Sequence, residues 1–480
     1  MSDTKLDFNQ GSTSQIAPNA TTQNQIFFGD QFAKTVLGTK EHPLTLVVLG
    51  AGADATLGFP TSSNLIPRIV EYLETEEGKA VDASLRKAIG SVRFHFDKFV
   101  NNAIDSLAKD LDKELITICR NITGELEHNE ALTEDQRKLG SLIVRLFKKI
   151  IDIKSGASID AETERLIEEV LGTTVKDDTI IDFSHINYTD TFKAIVVEIL
   201  QKSMYEAENP ILRHVYRNIL DIEQLLSRYF YGFYTSRTSY VRDYLYISWI
   251  LWAYLVHEEQ QLAQQPSTQE HKPDLYARLK EIGSQLQEST CQLVTFNYTS
   301  YASQSSDTAL YFHGSLMEYV DVENKNDFTI DNIHDLDLQN FFKDQLAQEI
   351  SFDTDRKSIP IPSFLPPLKL QTIISRRYID TWYQASQMLL RANRIVILGY
   401  SFSSTDHFFC EYLRDNHDAQ IVFIDKNIEA VSHNVCSILQ LSPSHYSRQL
   451  LDGMELRRYA NRVTIVCADL AEVDLERFFK

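Results

Sequence analysis

The stretch VVLGAGADATLGFPTSSN, Val47 to Asn64, sets the reading of the whole chain. Aliphatic and β-branched residues run straight into two glycines, Gly50 and Gly52, and then an acid, Asp54. A continuous apolar run of this kind is the pattern of a strand buried on both faces, and the glycines let the backbone turn sharply and approach a ligand closely. The helix that follows would point its partly positive N-terminus at a phosphate. The spacing G-x-G-x5-G is not the dinucleotide fingerprint G-x-G-x-x-G, and a plain strand-to-helix turn explains this segment equally well when it is taken by itself.

The same pattern recurs along the chain. LTLVVLG at 44–50, RIVILGY at 394–400 and QIVFID at 420–425 read as buried parallel strands, with CQLVTFN at 291–297 and RVTIVCAD at 462–469 as weaker examples. Each precedes a turn signal and a helical pattern, which predicts an open α/β sheet with helices on both faces. In RIVILGYSFSSTDHFF, Gly399 allows the turn, Ser401 and Ser403 offer hydroxyls, and Ser404 or Thr405 can cap a helix beginning near Asp406. Two such junctions suit a ligand with two phosphates lying across the carboxyl edge of the sheet. Asp425 ends a strand where an acid can accept from a ribose diol or simply cap its own turn. Asn297, in TFNYTS, can hold water or a ribose hydroxyl through its amide, or form a turn. His313 precedes a glycine in YFHGSL.

Residues 1–28 are polar and form an N-terminal arm, and 67–285 change character to helix. In TEDQRKLGSLIVRLFKKIIDI, Thr133 and Gln136 make a capping box and the apolar residues from Leu139 to Ile151 follow the i, i+3, i+4 rule. Further helical patterns run through NPILRHVYRNILDIEQLLSRYFYGFY and SYVRDYLYISWILWAYLVHEEQQLA. The chain thus reads as a sheet-forming domain from 29–66 and 286–480, interrupted by a helical insertion. Residues 320–370, acidic and then Pro-rich, read as a long irregular loop that could cover a pocket.

A formal net charge of −20 disfavours direct nucleic-acid binding, which needs clustered cations. Five scattered cysteines without a CxxC pair point to a reducing compartment and give no zinc spacing, so no metal is expected. The N-terminus shows no secretory signal, and no apolar run is long enough to span a bilayer. The expectation is a cytoplasmic protein that does not enter the membrane.

Taken in order, GAGAD, TFNYT, HGSL and GYSFSSTD resemble the SIR2 family, specifically its branch in bacterial antiphage defence, where the patterns run GAGAS, T-x-NYD, HGS and GYS-x-x-x-D. The resemblance covers about 44–66 and 290–480. It implies a SIR2-type, Rossmann-like parallel sheet with a large helical insertion, and NAD+ as substrate. Carried over by position, it implies that Gly50, Ala51, Gly52, Asp54, Gly399, Ser401 and Asp425 line the NAD+ pocket, and that Asn297 and His313 are catalytic. Two positions depart from the pattern: Asp54 stands for the serine of GAGAS and Thr299 for the acid of NYD. The P-D-F-R segment of protein deacylases is replaced by Pro60 to Ser63 and their zinc ribbon is absent, which disfavours a deacylase or ADP-ribosyl transferase. The implied activity is hydrolysis of the nicotinamide-ribose bond by an effector of abortive infection. Its trigger would be a protein partner (a sensor or ATPase), a ligand, or assembly into a homo-oligomer. The competing reading is a catalytically silent nucleotide-binding sensor or scaffold.

Overall fold

The protein is described by a computed structural model covering residues 43–60, 65–99, 111–129, 132–154, 209–217, 238–264, 274–286, 290–364, 376–400 and 406–479, with isolated positions between them. Along the chain the described elements are β1 (Thr45–Leu49), α1 (Ala51–Ala55), α2 (Leu65–Glu74), α3 (Glu76–Ile89), α4 (Leu111–His128), α5 (Glu134–Lys154), α6 (Pro210–Arg217), α7 (Thr238–Gln264), α8 (Leu275–Gln285), β2 (Cys291–Thr295), α9 (Tyr301–Ser305), β3 (Leu310–Tyr311), β4 (Gly314–Asp321), β5 (Asn326–Thr329), β6 (Pro360–Phe364), α10 (Arg376–Arg391), β7 (Arg394–Leu398), α11 (His407–Asp415), β8 (Gln420–Asp425), α12 (Ile428–Leu439), β9 (Ser447–Leu451), β10 (Met454–Tyr459) and β11 (Val463–Cys467). The N-terminal arm, Thr61 to Ser63, Ser401 and Ser403 to Thr405 lie outside the described residues.

All five strands expected from the sequence form, in one sheet of order β3-β2-β1-β7-β8-β11-β10-β9. From β3 to β11 every pairing is parallel. The apolar runs are continuous because both sheet faces are covered. Val47 and Leu49 of β1, with Val396, Leu398, Val422 and Ile424, enter one core beside the helices that precede β2. Leu46 and Val48, with Ile395, Ile397, Ile421 and Phe423, enter the other beneath α10, α11 and α12. Each such fully buried side chain contributes roughly 1.5–3 kcal/mol of transfer free energy.

The capping box of α5 forms as read: Thr133 N donates to Gln136 Oε1 at 2.9 Å and Gln136 N to Thr133 Oγ1 at 3.2 Å. Of the 320–370 region, 320–364 is more ordered than an irregular loop, and 365–370 lie outside the described residues. It carries a three-stranded antiparallel sheet, β5-β4-β6, and a π-helical turn at Phe341–Leu346. Helix α7 packs on this small sheet, its Trp249 Nε1 donating to Pro360 O and Trp252 Nε1 to Leu316 O, both at 2.9 Å. Two buried indoles that each find a carbonyl fix the helix in rotation as well as position. The antiparallel hairpin β9-β10, turned by Asp452 and Gly453 with φ 50° and 85°, was likewise not expected.

The close approach that the glycines permit is between two parts of the backbone. A Cβ on Gly50 would lie 2.6 Å from Gly399 O, one on Gly52 2.7 Å from Gly399 Cα, and one on Gly399 2.6 Å from Gly52 Cα. Gly52 N donates to Gly399 O at 2.8 Å. These junctions follow β1 and β7, the neighbouring strands at which the sheet order reverses, where open α/β sheets place their ligands. Gly399→Ala combines a clash with a left-handed backbone (φ 61°) and should lower the unfolding free energy in urea by roughly 2–5 kcal/mol. Gly453→Ala, also at positive φ but with no atom within 4 Å, should lose only the roughly 1–2 kcal/mol conformational part.

Candidate functional site

Helix α1 is only five residues long, so the expected dipole at the first junction is short. Ala51 is exposed and Gly52 half-buried, whereas Asp54 is buried at 3% exposure. Its carboxyl receives three donors: the Tyr276 hydroxyl and Asn297 Nδ2 (2.8 Å) on Oδ1, and Thr299 Oγ1 (2.8 Å) on Oδ2. The two positions that depart from the family pattern are therefore bonded to each other. Tyr276 belongs to α8, which the sequence does not mark as part of any site.

Asn297 follows β2 and is held by Thr295 Oγ1, which accepts from Asn297 N at 3.0 Å. Its Nδ2 donates to Gly50 O at 2.9 Å as well as to Asp54. Both neighbours can only accept when Asp54 is ionised, which fixes the amide with nitrogen inward and leaves Oδ1 as the free acceptor. Phe296, one residue before, meets the His313 ring edge to face at 5.1 Å and stacks on Tyr400 at 4.3 Å. The NYT turn, the histidine and the Gly399 junction thus share one aromatic wall.

His313 is 7% exposed, and its following residue, Gly314, sits at φ 86° where a Cβ would meet Ser363 O at 1.8 Å. The imidazole Nε2 lies 2.9 Å from Asp406 Oδ1. The approach is out of line for a hydrogen bond, and neither atom has another partner, so the contact is a charge pair that strengthens when the ring is protonated. Asp406 precedes α11 but makes no side-chain cap; its other oxygen accepts from the Tyr400 hydroxyl. Beside Gly314 a cavity of about 150 Å³ is lined by Tyr311, Glu318, Ser363, Tyr378 and Thr381.

Ser300, three residues after Asn297, is gripped from α7. Glu259, fully buried, accepts from Ser300 N at 3.1 Å and from its hydroxyl, and His334 Nε2 sits 3.4 Å from the same carboxylate. The bond to Glu259 holds the His334 pKa above the usual imidazole range. Neither Glu259 nor His334 stands in a motif that sequence reasoning could have used.

Asp425, at the end of β8, accepts from Asn427 N at 2.8 Å and so closes its own turn. Of the predicted residues, the structure gathers Gly50, Gly52, Asp54, Asn297, His313 and Gly399, while Asp425 stands two strands from β1, half-exposed. Among the described residues no group of three or more His, Cys, Asp or Glu could hold a metal ion, and no helix is long and apolar enough to cross a membrane.

Burial raises the Asp54 pKa from 3.8 to about 7; the Tyr276, Thr299 and Asn297 donors oppose this, and the Glu259 charge adds to it. Between those two values the folded chain keeps a proton that the unfolded chain has released, so this contribution is complete below about pH 4 and is lost as pH rises through about 7. Relative to Asp54→Asn, the native chain should therefore lose roughly 4 kcal/mol of unfolding free energy from pH 4 to pH 7. Parallel urea-unfolding free energies for the two chains across this interval would contradict the assignment.

No protein-family profile matches the chain, and no curated protein does. Solved structures do. A SIR2 bound to the inhibitor EX-527, 2′-O-acetyl-ADP-ribose and a deacetylated p53 peptide aligns over 38% of this chain and 79% of its own, at 15% identity and a TM-score of 0.24. A Sir2 with deacetylated p53 peptide and 3′-O-acetyl ADP ribose aligns over 45% and 81%, at 11% identity and TM-score 0.26. A Sir2 bound to acetylated peptide aligns over 43% and 81%, at 13% and 0.25.

Proposed function

We propose that the site hydrolyses the nicotinamide-ribose bond of NAD+. The observation that carries this reading is the placement, after β2 and β3, of an amide whose oxygen is left free and of an imidazole backed by a buried carboxylate, the imidazole ring lying 5.1 Å from that of Phe296, the residue before Asn297. Breaking an N-glycosidic bond builds positive charge on the ribose, as in oxocarbenium-like glycoside hydrolysis. A water oxygen bonds to the anomeric carbon as the carbon–nitrogen bond breaks, and that electron pair returns to the pyridinium, which leaves as neutral nicotinamide. Asn297 Oδ1 accepts from the water or from a ribose hydroxyl and sets its direction. With Nε2 of His313 turned to Asp406, Nδ1 is the nitrogen that takes the water proton, and the Asp406 carboxylate stabilises the imidazolium so formed. The products are ADP-ribose, nicotinamide and a proton.

The motif resemblance supports placing this activity in antiphage defence. The chain would be an NAD+-depleting effector in the cytoplasm, held silent until a protein partner, a ligand or self-assembly activates it. Constitutive cleavage would exhaust the host's own NAD+. Gly50, Gly52, Ala51, Gly399, Ser401 and Asp425 are proposed to line the dinucleotide site, with NAD+ as substrate rather than resident cofactor.

Asn297→Ala and His313→Ala should each lower nicotinamide release by at least about 10²-fold, the scale of general-base and positioning losses. Expression with the genomic neighbours should cost the host its NAD+ and its growth for the native chain only. Identical growth and NAD+ content with all three chains would leave a nucleotide-binding sensor as the surviving reading.

A further inference from the structure

We propose that Asp54 is a positioning residue for Asn297 rather than a contact of the ligand, and that it forms with Thr299 an acid-hydroxyl pair whose members can exchange places. This rests on the reading that Asn297 acts at the reacting centre. The carboxyl is buried, and each of its oxygens is already occupied: Oδ1 by the Tyr276 hydroxyl and Asn297 Nδ2, Oδ2 by Thr299 Oγ1. Three donors take three of the roughly four acceptor sites of a carboxylate that is itself buried, so the group is spent on its protein neighbours.

What the arrangement does is decide which end of the Asn297 side chain faces outward. An asparagine amide flipped by 180° would aim its carbonyl at Gly50 O and at Asp54, setting oxygen against two oxygens that lie within 2.9 Å of the present nitrogen. With Asp54 ionised only the nitrogen-inward state is satisfied. With a hydroxyl of either donor sense at position 54 one of these two constraints is lost, Gly50 O alone opposes the flip, and Oδ1 is held outward less strictly. Tyr276 and Thr299 in turn hold the carboxyl itself, from α8 and from the NYT turn. A carboxyl reaches one atom farther from its backbone than a hydroxyl. The Asp54–Thr299 contact at 2.8 Å can accordingly be rebuilt by combining Asp54→Ser with Thr299→Asp, so that the long member comes from the NYT turn and the short one from α1. The sum of the two reaches stays the same.

The test is a reciprocal cycle of Asp54→Ser, Thr299→Asp and the double variant. It measures nicotinamide release from NAD+ with kcat and KM separated, and the melting temperature of each full chain. Asp54→Ser should lower kcat by at least about tenfold with KM within threefold. Thr299→Asp should lower the melting temperature, because two carboxyls then meet in a dry site. The double variant should recover most of both losses. Recovery of melting temperature without recovery of kcat would show packing only and overturn the positioning role, as would an unchanged kcat in Asp54→Ser. A double variant no better than the worse single would overturn the exchangeable pair. If the native chain releases no nicotinamide even with its genomic neighbours, the NAD+ reading fails. The role of Asp54 is then decided by the side-chain amide signals of Asn297 in chains labelled with ¹⁵N-asparagine. One slowly exchanging pair in the native and double chains, with faster exchange in Asp54→Ser, supports it, and equal exchange in all three overturns it.

Discussion

The site depends on one steric fact: the turns after β1 and β7 touch backbone to backbone, with Gly50 and Gly52 against Gly399 at distances no Cβ would allow. That contact is made possible by missing side chains, and it packs the turns at the ends of two neighbouring strands directly against each other. Gly50 O is thereby set within 2.9 Å of Asn297 Nδ2, and Tyr400 is set against Phe296. The aromatic stack then carries the His313 ring, so the placement of all the candidate catalytic groups descends from the glycine contact.

Three acids, Asp54, Glu259 and Asp406, lie buried at 3%, 0% and 1% exposure around this junction. A lone carboxylate so placed would cost several kcal/mol, and each is instead surrounded by donors or a histidine. Asp54 holds the Asn297 amide, Glu259 holds the backbone of the same turn at Ser300, and Asp406 faces His313. Groups fixed before any ligand arrives need no rearrangement when charge develops, which is how buried polar networks serve catalysis. The contact of His313 with Asp406 is at 2.9 Å but unaligned, so it differs from the other two in lacking a formed hydrogen bond.

The helices between β1 and β2 do more than interrupt the sheet. Tyr276 of α8 and Glu259 of α7 reach the NYT turn, while Trp249 and Trp252 of α7 secure the small antiparallel sheet that begins at Gly314. Displacement of α7 would be felt at Ser300 and Leu316 together, on the two sides of the candidate centre. Such a connection ties the helical region physically to the candidate site.

The local patterns were legible. Continuous apolar runs at 44–50, 394–400 and 420–425 became strands of a doubly covered parallel sheet, because burial on both faces removes the need for alternation. The Thr133 and Gln136 capping box formed because its donors and acceptors are three residues apart. The Asp452-Gly453 hairpin signal was also present, between LL and MEL, and the strands of 314–364 were obscured by the polar and Pro-rich residues around them. What the sequence could not contain was the pairing of Asp54 with Tyr276 and Thr299, separated by 222 and 245 residues, or of His313 with Asp406. A motif records which groups a strand end carries, since that is set by neighbours along the chain. Which of them turn inward to hold one another is set by contacts across the fold, and only the tertiary structure decided it.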